Sequence, residues 1–236
     1  MQRVAEGIYW IEGARGCNVY VLTSGEGVTL VDTGMAGEAG RLDAELRQQG
    51  YALSQVRRIV LTHSHFDHVG SAAEIVRLSG APILAYRDEV PYVERTQTLP
   101  SRSLVQRLLM ALEERVLPRP VPLPVSKALE DGDVLDAAGG MRVIHTPGHT
   151  PGSMCLYQAQ RQVLLCGDTL FNKNPMTGKP GLRLSLPIVS TDMAQVRASV
   201  RKLSALPVRV LCFGHGEPLM ANVQERMRSL LADPPQ

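Results

Sequence analysis

The stretch LTHSHFDHVG, Leu61 to Gly70, places three of the chain's six histidines and one aspartate within six positions, directly after the apolar run RRIVL. At the end of a buried strand each imidazole brings ring nitrogens that must be hydrogen-bonded or stay costly. A purely structural element gains little from three of them, whereas bound metal accounts for them all. Residues two apart on a strand point to one side, so His63 and His65 can grip one ion. Asp67 and His68, in the turn before a helix, can face a neighbouring ion.

Outward from this stretch, the remaining candidate ligands stand in similar places. His149 lies in TPGHTPGS, Asp168 in LLCGDTLF and His215 in CFGHGEP, each after an apolar run or in a glycine-flanked turn. The glycines permit tight turns and close backbone approach. Three imidazoles satisfy one borderline metal, an aspartate with two imidazoles satisfies another, and Asp168 is left to bridge. The protein ligands close neither shell, so the pattern is catalytic: a water shared between ions about 3.5–4 Å apart loses its proton near neutral pH. Two ions, two aspartates and one hydroxide leave about one net positive charge to hold an oxyanion. Two further residues fall near this set. Asp32, in TLVDTG, can orient a ligand imidazole by accepting its outer N–H, the alternative being a turn-forming aspartate ahead of Gly34. His145, in RVIHTPGH, is read as a supporting or structural histidine.

The rest of the chain frames these positions. GIYWIEG, CNVYVLTS and GVTLVDTG read as short strands, EAGRLDAELRQQG as an amphipathic helix stopped by Gly50, VRRIVLTH as a buried strand, SAAEIVRLSG as a helix and APILAY as a strand. The second half repeats the outline. MRVIHT, SMCLYQ, QVLLCG and VRVLCFG read as strands, TDMAQVRASVRKLSAL and EPLMANVQERMRSLL as helices, and Asn172 to Arg183 as a polar loop whose Lys173, Lys179 and Arg183 could meet an anionic group or stay solvated. Residues 88–128 break the rhythm: in SLVQRLLMALEERVLP, Leu104, Leu108, Leu112 and Val116 fall at successive fours with Leu109 beside them. That stripe predicts a helix packed on the body or capping a pocket, with PRPVPLP as an extended exit. Strands then helix, twice, predict an α/β fold of four layers, helix, sheet, sheet, helix, in a single domain with a helical insertion near 88–128.

Composition narrows the function. The chain has 236 residues, 44% hydrophobic and 20% charged, with a net charge of +2 and scattered basic residues. That is ordinary for one globular domain and gives no footprint for nucleic acid. No window approaches a bilayer-spanning length and the N-terminus lacks a signal-peptide core, so a cytoplasmic protein acting on a small molecule, away from membranes, is expected. Cys17, Cys155, Cys166 and Cys212 form no CxxC pair and read as reduced core thiols.

Taken together, the motifs NVYVL…GVTLVDTG, THSHFDHVG, TPGHTPGS, CGDTLF and FGHGEP, in that order, resemble the metallo-β-lactamase superfamily over essentially the whole chain. The resemblance implies an αββα sandwich and a dinuclear site, with His63, His65 and His149 on the first metal, Asp67, His68 and His215 on the second, and Asp168 on both. It further implies hydrolysis by a bridging hydroxide. True β-lactamases of this fold typically carry cysteine or serine where Asp168 stands. Glyoxalase II-like thioesterases, and the persulfide dioxygenases that resemble them, follow the bridging aspartate with a GCGR-like stretch where this chain has TLFNKNPMTGKPG. The insertion is closer to that of lactonase and esterase branches. The expectation is therefore a two-metal hydrolase of an ester, lactone or thioester, with Asp67 or a metal-bound water protonating the leaving group. Zinc is the first choice, and manganese, iron or cobalt would also fit. The alternatives are a mononuclear iron, persulfide dioxygenase-like oxidoreductase, a nucleic-acid or phosphoester hydrolase, and a catalytically dead binding protein. A homodimer, with a neighbouring subunit supplying part of the pocket wall, is left open.

Overall fold

Apolar side chains alternate along the strands so that both strand faces are covered. In β3 (Val19–Ser24), Val19 and Val21 enter one core while Tyr20 and Leu22 enter another. In β10 (Met154–Gln158), Met154 and Leu156 face that second core while Cys155 and Tyr157 face a third. Three apolar cores need four layers to enclose them, and this is the architecture of the computed structural model, which describes residues 1–25, 27–101, 106–108 and 121–232.

The first sheet has seven strands in chain order: β1 (Gln2–Ala5), β2 (Ile8–Ile11), β3, β4 (Gly27–Val31), β5 (Val56–Leu61), β6 (Ile83–Tyr86) and β7 (Lys127–Leu129). It begins as an antiparallel meander and becomes parallel from β4 onward. The change follows from connection length: helices Ala39–Arg47 and Ala72–Ser79 cross over where a hairpin turn cannot. Leu42, Leu46 and Ile75 from these helices close the first core. Gly50, at φ +78°, ends the first helix, with Gly50 N–H donating to the Arg47 carbonyl and Tyr51 N–H to that of Leu46.

The second sheet runs β14 (Val210–Cys212), β11 (Val163–Leu165), β10, β9 (Met141–His145), β8 (Val134–Leu135). Its inner face meets the first sheet through Met141, Val143, Leu156 and Leu165 against Ile8, Leu22 and Val60. Its outer face is covered by helices Met193–Ser204 and Val223–Ala232, which contribute Val196, Val200, Leu203 and Met227. Each such fully buried aliphatic side chain contributes roughly 1.5–3 kcal/mol. Asp192 caps the first of these helices by accepting from the backbone N–H groups of Ala194 and Gln195.

Three sequence expectations change here. The supposed polar loop from Asn172 to Arg183 is a hairpin of β12 (Leu170–Lys173) and β13 (Pro180–Leu184), because Leu170 and Phe171 are fully buried while Leu182 and Leu184 pack on the outer core. Arg183 donates to the carbonyls of Lys179, Pro180 and Gly181, so its guanidinium folds back on its own hairpin. The terminal helix starts at Val223 and not near Glu217, because Leu219 exchanges both backbone hydrogen bonds with Leu211 and cannot join a helix. Of the expected 88–128 cap, residues 102–105 and 109–120 lie outside the described residues; within the rest, Val90–Val93 and 106–108 are helical. Leu108, on the expected apolar stripe, is exposed, and Gln106 is buried instead, its side-chain amide donating to the Ser190 carbonyl. Two residues at 100° each put Gln106 on nearly the opposite face.

The four cysteines are free and buried. Among the described residues, no helix is long and apolar enough to cross a membrane.

Candidate metal centre

The carboxyl ends of β4, β5, β6, β9, β11 and β14 open toward one edge of the sandwich, the edge at which open α/β sheets place their sites. Asp32 follows β4. His63 to His68 follow β5, with Phe66–Val69 forming one short helical turn. His149 lies between β9 and β10, Asp168 after β11 and His215 after β14. Close packing at this edge demands glycine. A Cβ on Gly214 would overlap Asp168 Oδ1 and crowd His68.

All seven sequence-derived ligand candidates meet here. The donor atoms of His63, His65 and His149 form one triad, and those of Asp67, His68 and His215 form another. Asp168 lies between them: its Oδ1 is 3.3 Å from His68 Nε2, and its Oδ2 is 3.3 Å from His215 Nε2, 3.6 Å from His149 Nε2 and 3.9 Å from His63 Nε2. Asp67 Oδ2 stands 3.3 Å from His215 Nε2.

The hydrogen-bond network assigns the imidazole protons. Thr62 Oγ1 donates to Asp32 Oδ2 at 2.7 Å, so it accepts from His63 Nδ1 at 3.1 Å. Asp32 Oδ2 also accepts from His68 Nδ1 at 2.8 Å, and Asp32 Oδ1 accepts from the Thr62 amide. Ser185 Oγ receives the Ser190 hydroxyl and stands 2.9 Å from His149 Nδ1, accepting that nitrogen's proton when Nε2 serves as a ligand. The Nε2 atoms of His63, His68 and His149 therefore face inward as ligand positions. Two of the resulting contacts make no sense for an empty core: His63 Nε2 and His149 Nε2 point at each other at 3.1 Å, and His68 Nε2 and Asp168 Oδ1, 3.3 Å apart, are buried without a hydrogen-bond partner among the described residues. A cation between such atoms satisfies both, so the residues fit a metal.

Electrostatics separates the triads. Burial, reinforced by neighbouring imidazoles, holds His63 and His149 well below the usual histidine range, and burial brings His65 to about 4. Those three rings are neutral lone-pair donors. In the other triad burial opposes charge on His215, but Asp168 and Asp67 outweigh it and raise the ring to about 9. His68 is raised likewise, against burial, by Cys17 and the carboxylates of Asp168, Asp32 and Asp67. Against the same burial, these histidines hold Asp67 and Asp168 below the usual carboxylate range. His68 and His215 would have to give up those protons to hold a cation through Nε2.

Asp32 sits at φ +60°, a left-handed conformation that aspartate tolerates better than most residues. Cys17 Sγ lies within 4.8 Å of the ligand atoms of Asp32 and His68, nearer the site than a plain core thiol. His145 stacks on Tyr86 with ring centroids 4.0 Å apart and donates Nε2–H to the Pro151 carbonyl at 3.0 Å, steadying the His149 loop from outside. Sequence reasoning missed Ser185, Ser190 and Glu89. Only Glu89 left a signal, a carboxylate just past the end of strand APILAY at the ligand-bearing edge.

Comparison with known proteins places the chain in a family. The chain is 31% identical over 206 residues to a probable metallo-hydrolase, YflN, of Bacillus subtilis, covering 80% of this chain and 75% of that one. It is also 31% identical over 168 residues to a hydroxyacylglutathione hydrolase of Pseudomonas paraeruginosa, covering 70% of this chain but 49% of the relative. Among solved structures, the metallo-beta-lactamase family protein TTHA1429 from Thermus thermophilus superposes with a TM-score of 0.72 at 26% identity, covering 98% of this chain and 80% of that one. TTHA1623, solved in a di-iron-bound form, superposes at 0.68 and 29% identity, covering 93% and 97%. The family model described as the metallo-beta-lactamase superfamily matches residues 13–215, and the chain belongs to that superfamily.

Proposed function

We propose that this protein is a metal-dependent hydrolase that holds one divalent ion on His63, His65 and His149 and a second on Asp67, His68 and His215, with Asp168 between them. We further propose that it cleaves an ester, lactone or thioester of a small molecule. The observation that carries the reading is the pair of orphaned atoms, His68 Nε2 and Asp168 Oδ1, buried between two ready triads. When bound, the ions supply Lewis-acid polarisation of the scissile carbonyl and a water whose pKa falls to about 7.

The chain's own residues do the rest. Thr62 and Ser185 keep the His63 and His149 protons on Nδ1, and Asp32 does the same for His68. Asp67 is the more open carboxylate, with 17% of its side chain exposed against 4% for Asp168. That access makes Asp67 the group to pass a proton to the leaving group. The relative named hydroxyacylglutathione hydrolase favours an acyl substrate over a phosphoester. Zinc is the first expectation for the metal, and the neighbour solved in a di-iron-bound form keeps iron in the comparison.

The test is elemental analysis of the purified protein combined with a panel of lactones, aryl esters, thioesters and phosphoesters. Two metals per chain and chelator-sensitive turnover of a carbonyl ester are expected. A single iron with oxygen consumption, or turnover confined to phosphodiesters, would overturn the reading.

A further inference from the structure

Glu89 is fully buried, at the end of the short helical turn Arg87–Glu89 after β6. Its Oε1 accepts from the Ser64 backbone N–H at 2.8 Å. Its Oε2 accepts from Thr150 Oγ1 and from the Gly152 backbone N–H, each at 2.8 Å. Ser64 lies between His63 and His65, and Thr150 follows His149. One carboxylate thus joins the loop carrying two imidazoles of the first triad, from one sheet, to the loop carrying the third, from the other sheet. The fit is tight: a Cβ on Gly152 would overlap the Glu89 backbone and Cβ.

We propose that Glu89 is the positioning residue of the His63, His65 and His149 triad, setting the separation of its two loops and hence the affinity of that metal position. The inference rests on the metal reading above. Burial pushes the Glu89 carboxyl up, against the hydrogen bonds from Ser64, Thr150 and Gly152. A hydrocarbon of the same volume would avoid that desolvation but leave two buried backbone N–H groups without an acceptor. The hydrogen bonds of Glu89 go to Ser64, Thr150 and Gly152, so it acts on the imidazoles through the loops that carry them.

The test is Glu89→Gln, which keeps shape and volume. Whichever way the amide sits, its NH2 faces a backbone N–H, that of Ser64 or that of Gly152, and one of the two hydrogen bonds is lost. Calorimetric titration of the metal-free protein with cadmium, followed by cadmium-113 resonances, reads the two positions separately. The three-imidazole position is expected to lose about 10–100-fold in affinity, with its resonance shifted or broadened, while the other position holds. Two unchanged binding steps, or an equal fall in both, would overturn the proposal. If Glu89→Gln does not fold, Thr150→Val removes the side-chain donor to Glu89, together with the contact of the same hydroxyl with Ser153 Oγ inside its own loop. A smaller fall at the same position is then expected, and no change would reject the assignment. Wild-type protein that binds no cadmium would end the metal reading itself, a result distinct from any failure of Glu89.

Discussion

His68 and His149 sit on opposite sides of Asp168, and the chain holds their outer nitrogens with different chemistry. His68 Nδ1 meets the Asp32 carboxylate at 2.8 Å, in the half of the site where histidines and aspartates neutralise one another. His149 Nδ1 meets the Ser185 hydroxyl at 2.9 Å, in the half made of neutral imidazoles. An anionic acceptor makes the imidazole a stronger base and fixes its orientation more firmly than a hydroxyl does, since charge-assisted hydrogen bonds are about twice as strong. One position is thus held mainly by charge. The other depends on loop geometry, which gives Glu89 its importance.

The most severe way to break this comparison is to remove what the halves share. Asp168→Ala takes away the carboxylate that faces both triads, and kcat/KM should fall about a thousandfold or more, with weaker retention of the second metal. Unchanged turnover and metal content would refute the shared centre. Next, Asp32→Asn acts directly on the charged half and reaches His63 only through the Thr62 hydroxyl. Asparagine tolerates the left-handed backbone, but its amide cannot accept from both the Thr62 N–H and the His68 Nδ1–H. The metal position of His68 should weaken by about 10–100-fold while the three-imidazole position, reached only through Thr62, weakens less, as read by stepwise metal titration. The mildest change, Ser185→Ala, acts on the neutral half. It removes one hydroxyl acceptor, with Ser190 Oγ at 3.5 Å as a poor substitute, and should cost about 1 kcal/mol, or about fivefold at the first position. If Ser185→Ala weakened binding as much as Asp32→Asn, the two halves would not differ as described.

The ligands were legible in the sequence because each is a polar residue that interrupts or ends an apolar run, and strand ends on one edge of a sandwich converge. Asp32 was legible for the same reason. Ser185 was not, because it follows an arm that reads as polar loop until the burial of Leu170 and Phe171 shows a hairpin. Glu89 and Thr150 stand 61 residues apart, and no local pattern links them. Of the apolar stripe only Leu108 is among the described residues, and it is exposed, while its neighbour Gln106 turns inward to donate to the Ser190 carbonyl, a partner far along the chain.

By itself the sequence determined which residues end strands, which faces of those strands are apolar, and therefore the four layers and the seven side chains gathered at one edge. Tertiary structure alone decided which nitrogen of each imidazole faces inward, which carboxylates steady the loops, and how far apart the two triads stand. Apolar patterning acts between near neighbours in the chain, whereas these distances arise only when two sheets close on each other and the buried polar groups must find partners across the gap.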